Sequence, residues 1–267
     1  MGLADVHAHL THPRLATRQP EVLANARAAG VTSVLVNGLN PPDNEAVAEL
    51  AKADSIVKPC FGLYPVDAVF AEMEAAGIDY PREFPPFGRD EAIAWVKDHA
   101  EQAFAIGEIG LDGYWVPEAL WGPQEDAFKA LVRIAMDADK AIIIHTRKRE
   151  RRALEVLEEL GATRVNWHCF GGRVKLARQI ADKGHTLSIP ANARRNEAFT
   201  RMIETLPRER LLLETDCPYL GLDKDVPSEP AHVRATAEFF AETWGCSLDD
   251  VEDQLASNFE RLFGQPP

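Results

Sequence analysis

What this chain lacks narrows it first. No run of about 18 apolar residues occurs in its 267 residues, which excludes an α-helical membrane span. Near the start, Asp5 and a group of histidines stand where a secretory leader would need a basic stretch and then an apolar one, so a cytoplasmic protein is expected. Four cysteines, Cys60, Cys169, Cys217 and Cys246, lie far apart with no C-x-x-C pair. In a chain long enough to bury its own core they read as reduced thiols, not as a disulfide frame or a zinc knuckle. Positive charge is scarce as well: 29 Lys and Arg against 42 Asp and Glu leave −13, which argues against a generally basic nucleic-acid binder but leaves room for a local basic face. Repeats and low-complexity tracts are missing too.

What is present alternates. Short apolar runs at 3–9, 31–38, 55–65, 103–110, 140–147, 163–170, 185–191 and 210–220 are separated by segments of helical period near 20–29, 42–53, 90–102, 123–139, 149–160, 172–183 and 195–205. Two more helical segments, near 231–244 and 248–263, follow the last run, the second opened by an S-x-x-D capping pattern at Ser247; Pro123 suits a first helical turn. Eight strands each followed by a helix predict a single-domain (β/α)8 TIM barrel over residues 1–267 with an additional C-terminal helix. A doubly wound open sheet is the alternative, weakened because no G-x-G-x-x-G follows the first strand. The stretch 77–90, broken by prolines and glycines, reads as a long loop over one end of the barrel.

Barrel active sites form at the C-terminal ends of the strands. The first strand ends with His7 and His9, the fourth with Glu108, the fifth with His145, the sixth with His168 and the eighth with Asp216. Residues two apart on a strand share a face, so His7 and His9 can enter the interior together. Any one such histidine is more often a hydrogen-bonded core residue. Six ionisable groups buried together without a cation would be costly to desolvate, so the set is read as ligands of a two-metal hydrolytic site. Imidazole suits Zn2+ or Mn2+ and phosphoryl chemistry often uses Mg2+, which leaves all three open. Asp216 is expected to accept the proton of the attacking water. Two places back, Asp5, Asn166 and Glu214 are expected beneath His7, His168 and Asp216, holding the imidazoles through their other nitrogens; for Glu214 a surface-facing register is an equal alternative. His12, beside Pro13, is expected to be loop structure or at most a substrate contact. Cys169 and Cys217 are of opposite parity to the ligands and should face the helices.

The strings DVHAHL, IGEIGLD, IIIHTR, WHCFGG and LLLETDCPYL, with a terminal SNFERLFG, resemble the TatD family of metal-dependent hydrolases within the amidohydrolase-like barrels. The resemblance spans essentially the whole chain. It implies that His7, His9 and Asp216 hold one divalent metal, that Glu108 bridges, and that His145 and His168 hold the second, with Glu108 and Asp216 as catalytic residues. It also implies phosphodiester or ester hydrolysis: deoxyribonucleases, often 3′ to 5′ exonucleases, with some related members removing D-amino acids from tRNA. Where amidohydrolase relatives often bridge their metals with a carbamylated lysine, this chain has Glu108, which favours a nuclease over a lactonase or phosphotriesterase. It departs from the family at GLYP, where Tyr64 replaces the histidine of GIHP, and at VPSEP, which keeps only Glu229 and Pro230 of a longer motif.

A polyanion has a place to go. HTRKRERR at 145–152, GGRVKLAR at 171–178 and ANARRN at 191–196 carry ten of the 29 basic residues, just past the fifth, sixth and seventh strands. Arg147, Arg173 and Arg194 are the expected substrate contacts; Arg149, Arg151 and Arg152 are expected to pair with Glu155 and Glu158 on their own helix. Trp115 and Trp121 are candidates either to stack a base or to pack over the barrel end. The expected partner is DNA ends, bound by a monomer, with D-aminoacyl-tRNA or another ester as the alternative substrate. A metal-binding scaffold without turnover is the remaining reading.

Overall fold

The computed structural model describes residues 2–81 and 87–267. Its eight strands are β1 (Leu3–Ala8), β2 (Val31–Asn37), β3 (Val57–Phe61), β4 (Ala105–Asp112), β5 (Ala141–Arg147), β6 (Val165–Trp167), β7 (Thr186–Ile189) and β8 (Leu211–Leu213). They pair in parallel in chain order, as the alternation of runs predicts. The circle closes where Ala8 bridges Cys217: the His9 N–H donates to the Cys217 carbonyl and the Asp216 N–H to the His7 carbonyl, both at 2.9 Å. The seam thus runs through three of the residues expected to be ligands.

The helices are α1 (Pro13–Ala16), α2 (Gln19–Ala28), α3 (Pro41–Ala53), α4 (Phe70–Ala75), α5 (Arg89–His99), α6 (Trp121–Asp137), α7 (Glu150–Leu160), α8 (Val174–Asp182), α9 (Glu197–Thr205), α10 (Val233–Trp244) and α11 (Leu248–Phe263). Local chemistry starts and stops them. Asn40 caps α3 by accepting the Asp43 N–H, Ser247 and Asp250 form a reciprocal capping box on α11, and α7 ends at Gly161 with φ +72°, a conformation that favours glycine. The short helices α1 and α4 lie in stretches that carry no clear period. Within 77–90, residues 82–86 lie outside the described residues; Tyr80 packs edge-on to Trp115.

One end of the barrel is sealed and the other is polar. Val6, Leu35, Cys60, Ala105, Ala141, Ile143 and Leu212 form an interior cluster that Phe259, Leu262 and Phe263 of α11 cap from below. Burying a side chain such as Phe259 contributes roughly 1.5–3 kcal/mol, so the additional C-terminal helix is held as a plug. The mouth opposite it is where the strands deliver their polar ends.

Three expected strands are shorter than their apolar runs. β3, β6 and β8 stop at Phe61, Trp167 and Leu213, which leaves His168 and Asp216 beyond the ladder. There the backbone turns sharply: Cys169 has φ +41° and Asp216 φ +51°, values costly for residues with a Cβ.

Candidate active site

β1 and β4 each depart from strict alternation just where they supply donors. The β1 register shifts between Asp5 and Ala8, so that Val6 joins the interior apolar cluster while His7 and His9 reach the site above it. In β4 the register shifts between Ile106 and Ile109, around Glu108. Gly107 and Gly110 make this possible. A Cβ on Gly107 would lie 2.7 Å from Ile143 Cβ, and one on Gly110, where φ is +150°, would lie 1.9 Å from the His145 carbonyl oxygen.

The donors converge on two neighbouring points. His7 Nε2 and His9 Nε2 are 3.1 Å apart; Asp216 Oδ1 lies 3.8 and 3.5 Å from them and Glu108 Oε2 3.4 Å from both. Four donors about 2.0–2.2 Å from one tetrahedral Zn2+-sized ion would stand about 3.3–3.6 Å apart, so these separations suit a single cation. The other oxygen of Glu108, Oε1, lies 3.0 Å from His145 Nδ1 and 3.3 Å from His168 Nε2. Glu108 therefore divides its oxygens between two donor sets, the arrangement of a bridging carboxylate. Two imidazoles, His7 and His168, stack face to face at 3.7 Å between the sets.

Charge follows geometry. Burial, reinforced by the His168 charge, pulls His7 down to about 3. Burial pulls on His9 in the same way, but its bonds to Asp216 and Glu108 outweigh this and raise it to about 10. Burial would lift Glu108, yet the charge of His168 and hydrogen bonds from His145, His168 and His7 hold it well below the usual carboxylate range. Asp216 is likewise kept low against burial by His9, His168 and His7. The pocket thus draws positive charge into itself, and neutral imidazoles beside ionised carboxylates are what a divalent cation in place of those protons requires.

Groups around the donors fix their orientation. The His9 Nδ1 bonds the Asn37 carbonyl at 3.0 Å, and His145 Nε2 bonds Asp112 Oδ2 at 3.0 Å. Glu214 is fully buried, which excludes the surface-facing register; it accepts the Cys169 N–H at 2.8 Å and the Ser188 hydroxyl, with Oε2 at 3.7 Å from His168 Nδ1. Asn166 instead bonds Ser188 and Thr186, and no imidazole among the described residues. Asp5 is buried as well but acts on the backbone. It accepts the N–H groups of His7 and Thr215 and the Thr215 hydroxyl, while His7 Nδ1 has no hydrogen-bond partner among the described residues. The expectation that Asp5 grips the His7 ring fails because the β1 shift breaks the parity on which it rested.

Asp112 was not singled out in the sequence. Its signal was available: it lies at even spacing from Glu108 in IGEIGLD, a second carboxylate ending an otherwise apolar strand. Asn37 carried no signal, since it acts through its carbonyl.

The rim residues separate. Arg147 and Arg173 are exposed at the mouth, Arg147 with its guanidinium 3.7 Å over the Tyr114 ring. Arg194 is bound bidentately to Glu242 of α10, both contacts 2.8 Å, and lies over Phe239. Arg149 does not solvate α7: it is buried, paired with Glu125 and laid 4.2 Å over Trp121, which gives that indole a packing role. Arg152 pairs with Glu155 and Glu159 but also crosses to Glu125, and Arg151 bonds Gln179. Trp115 packs among Tyr80 and Tyr114. Tyr64 stands edge-on to the His145 ring, centroids 4.9 Å apart. His12 caps α1 and its Nε2 lies 3.2 Å from the Tyr219 hydroxyl. Cys217 is buried and Cys169 half-buried.

An eight-stranded parallel barrel whose polar mouth gathers four imidazoles and two carboxylates is the architecture of a metal-dependent hydrolase. The profile of the family described as TatD related DNase matches residues 4–264, and the chain belongs to that family. It is 28% identical over 267 residues to the human deoxyribonuclease TATDN3, covering 98% of this chain and 95% of that protein. To the metal-dependent hydrolase YabD of Bacillus subtilis it is 29% identical over 271 residues, covering 98% of each. Among solved structures, the TatD homologue YJJV of Escherichia coli superposes with a TM-score of 0.84 at 22% identity, covering 99% of this chain and 98% of that one, a likeness of fold. No helix among the described residues is long and apolar enough to cross a membrane.

Proposed function

We propose that the protein is a phosphodiesterase that trims DNA from its ends in the 3′ to 5′ direction, using two divalent cations, Zn2+, Mn2+ or Mg2+. The observation that carries this reading is the division of the Glu108 oxygens between the two donor sets. His7, His9 and Asp216 would hold one cation, His145 and His168 the other, with Glu108 available to both. Bound there, such cations polarise a phosphoryl oxygen and lower the pKa of water. Asp216, ionised and partly open to the mouth, takes up the proton of the attacking water. Arg147 and Arg173 contact backbone phosphates, while the acidic remainder of the surface repels them elsewhere. Arg194 would have to leave Glu242 to join them. The deoxyribonuclease name of the human relative agrees with this substrate class.

The test is incubation of the purified protein with 5′-end-labelled single-stranded DNA that has a free 3′ end, and separately with D-aminoacyl-tRNA, under Mg2+, Mn2+ or Zn2+. Stepwise shortening from the 3′ end is expected, with Asp216→Asn slowed about 10²–10⁴-fold, the usual contribution of a positioned proton acceptor. Intact DNA under every metal would falsify the nuclease reading; release of the amino acid instead would point to an ester hydrolase, and cation binding with neither reaction to a scaffold.

A further inference from the structure

Tyr114 is one of few large apolar side chains left exposed among the described residues, 48% open to solvent, and its setting is built with care. Asp112 Oδ1 accepts the N–H groups of both Tyr114 and Trp115 at 2.7 Å, while Oδ2 of the same carboxylate bonds His145. The Gly113 N–H donates to the Arg147 carbonyl at 2.7 Å. Beneath the turn there is no room for a side chain: a Cβ on Gly113 would lie 3.0 Å from Arg149 Cγ and 3.3 Å from Trp121. Arg149 and Trp121 therefore support the loop from below, and Tyr114 is held outward. Over its ring lie the Arg147 guanidinium, 3.7 Å from the centroid, and the Lys148 ammonium at 4.8 Å.

We infer that Tyr114 and Arg147 form a stacking platform for a nucleobase flanking the phosphodiester that is cut. The inference rests on the nuclease reading and adds to it a site for the base. His145 and Arg147 are two apart on β5 and so share a face, and two residues of strand advance about 6.6 Å, the scale that separates a phosphate from its own base. A phosphate beside His145 thus brings a base level with the Tyr114–Arg147 pair. Aromatic rings and guanidinium planes stack any base, since every base has a π-face, which fits an enzyme that removes nucleotides irrespective of sequence. Lys148 supplies charge to the adjoining phosphate. Because one carboxylate holds both the Tyr114 loop and His145, the platform is fixed relative to the reacting centre.

The experiment measures binding by fluorescence anisotropy in EDTA, where hydrolysis does not compete, using a single-stranded oligothymidylate with an intact 3′ end. Companion oligomers carry an abasic sugar at the last or the penultimate position. Wild-type protein should bind the intact end about tenfold more tightly than one of the abasic ends, the scale on which loss of an aromatic stacking partner acts. Tyr114→Ala should bring that ratio to about one and Tyr114→Phe should keep it, while Arg147→Gln should lower the salt dependence of binding by about one ion. Equal wild-type affinity for intact and abasic ends overturns the platform, as does a preference that survives Tyr114→Ala. The two readings fail separately. DNA trimming without base preference sinks the platform alone; base preference without hydrolysis under any metal sinks the nuclease reading alone.

Discussion

Asp112→Asn separates the two halves of the candidate metal site. The buried carboxylate makes three bonds, two from backbone N–H groups to Oδ1 and one with His145 Nε2 through Oδ2. An asparagine retains Oδ1 for the backbone but presents an NH2 group to the imidazole. With His145 Nδ1 directed at Glu108 and the proposed cation, Nε2 carries the hydrogen, so donor meets donor and the bond is lost. A hydrogen bond to a charged group contributes about 1.5–3 kcal/mol, and removing the partner that orients a metal-bound histidine typically costs 10–100-fold in affinity, which is the same range. Competition titration with a chromophoric chelator, resolving two binding steps for Zn2+ or Mn2+, measures the effect. The step assigned to His145 and His168 should weaken 10–100-fold and the step assigned to His7, His9 and Asp216 should stay within about threefold, since among the described residues Asp112 bonds His145 and not those three. Equal weakening of both steps, or of neither, refutes the division of the site. A more drastic Asp112→Ala should in addition loosen the Tyr114 loop, because the two backbone donors then lose their acceptor.

Saturation with cation should raise the melting temperature, since ligand at 100 times its Kd contributes about 2.7 kcal/mol, or roughly 5–11 °C in a domain of this size; a melting curve indifferent to EDTA and to added Zn2+, Mn2+ and Mg2+ speaks against a metal site. Glu214→Ala should destabilise the fold by about 2–6 kcal/mol in urea unfolding, because the Cys169 N–H and the Ser188 hydroxyl each lose a buried partner, and a loss below about 1 kcal/mol contradicts that bonding scheme. Asp5 adds a pH dependence. Burial raises its carboxyl to about 8 although bonds from Thr215 and His7 pull the other way, so the folded state holds a proton that the unfolded state releases above about 4. Its contribution to stability is complete below pH 4 and is lost as the pH rises toward 8. Urea midpoints at pH 5 and pH 8 should therefore converge in Asp5→Asn relative to wild type; an identical pH slope in both proteins removes Asp5 from that role.

The barrel and the six converging side chains were legible because both depend on strand periodicity. Alternating apolar runs set the number and order of the strands, and a polar residue ending an apolar run marks the mouth wherever the run lies in the ring. The supporting groups were legible only where that parity held. Counting back two places leads from Asp216, half-buried at the mouth, to Glu214, fully buried with an oxygen 3.7 Å from His168 Nδ1, and fails from His7 to Asp5, where the β1 register shifts. The basic rim was less legible for another reason: Arg149, Arg152 and Arg194 are claimed by Glu125 and Glu242, acids distant in sequence whose approach depends on how neighbouring helices pack. Asn37 escaped because its carbonyl does the bonding, and a carbonyl carries no residue identity. The failures of alternation are themselves informative. A regular strand admits one side chain in two to the interior, and the backbone positions of successive ones are then about 6.6 Å apart, so their side chains must converge to share a cation. His7 and His9 nevertheless bring their nitrogens to 3.1 Å, and Glu108 reaches both donor sets, at the two places where β1 and β4 shift register. Asp216 joins them from a left-handed backbone beyond the end of β8. Local irregularity in the strands is what converts a ring of separated polar ends into donors close enough to hold the same ion.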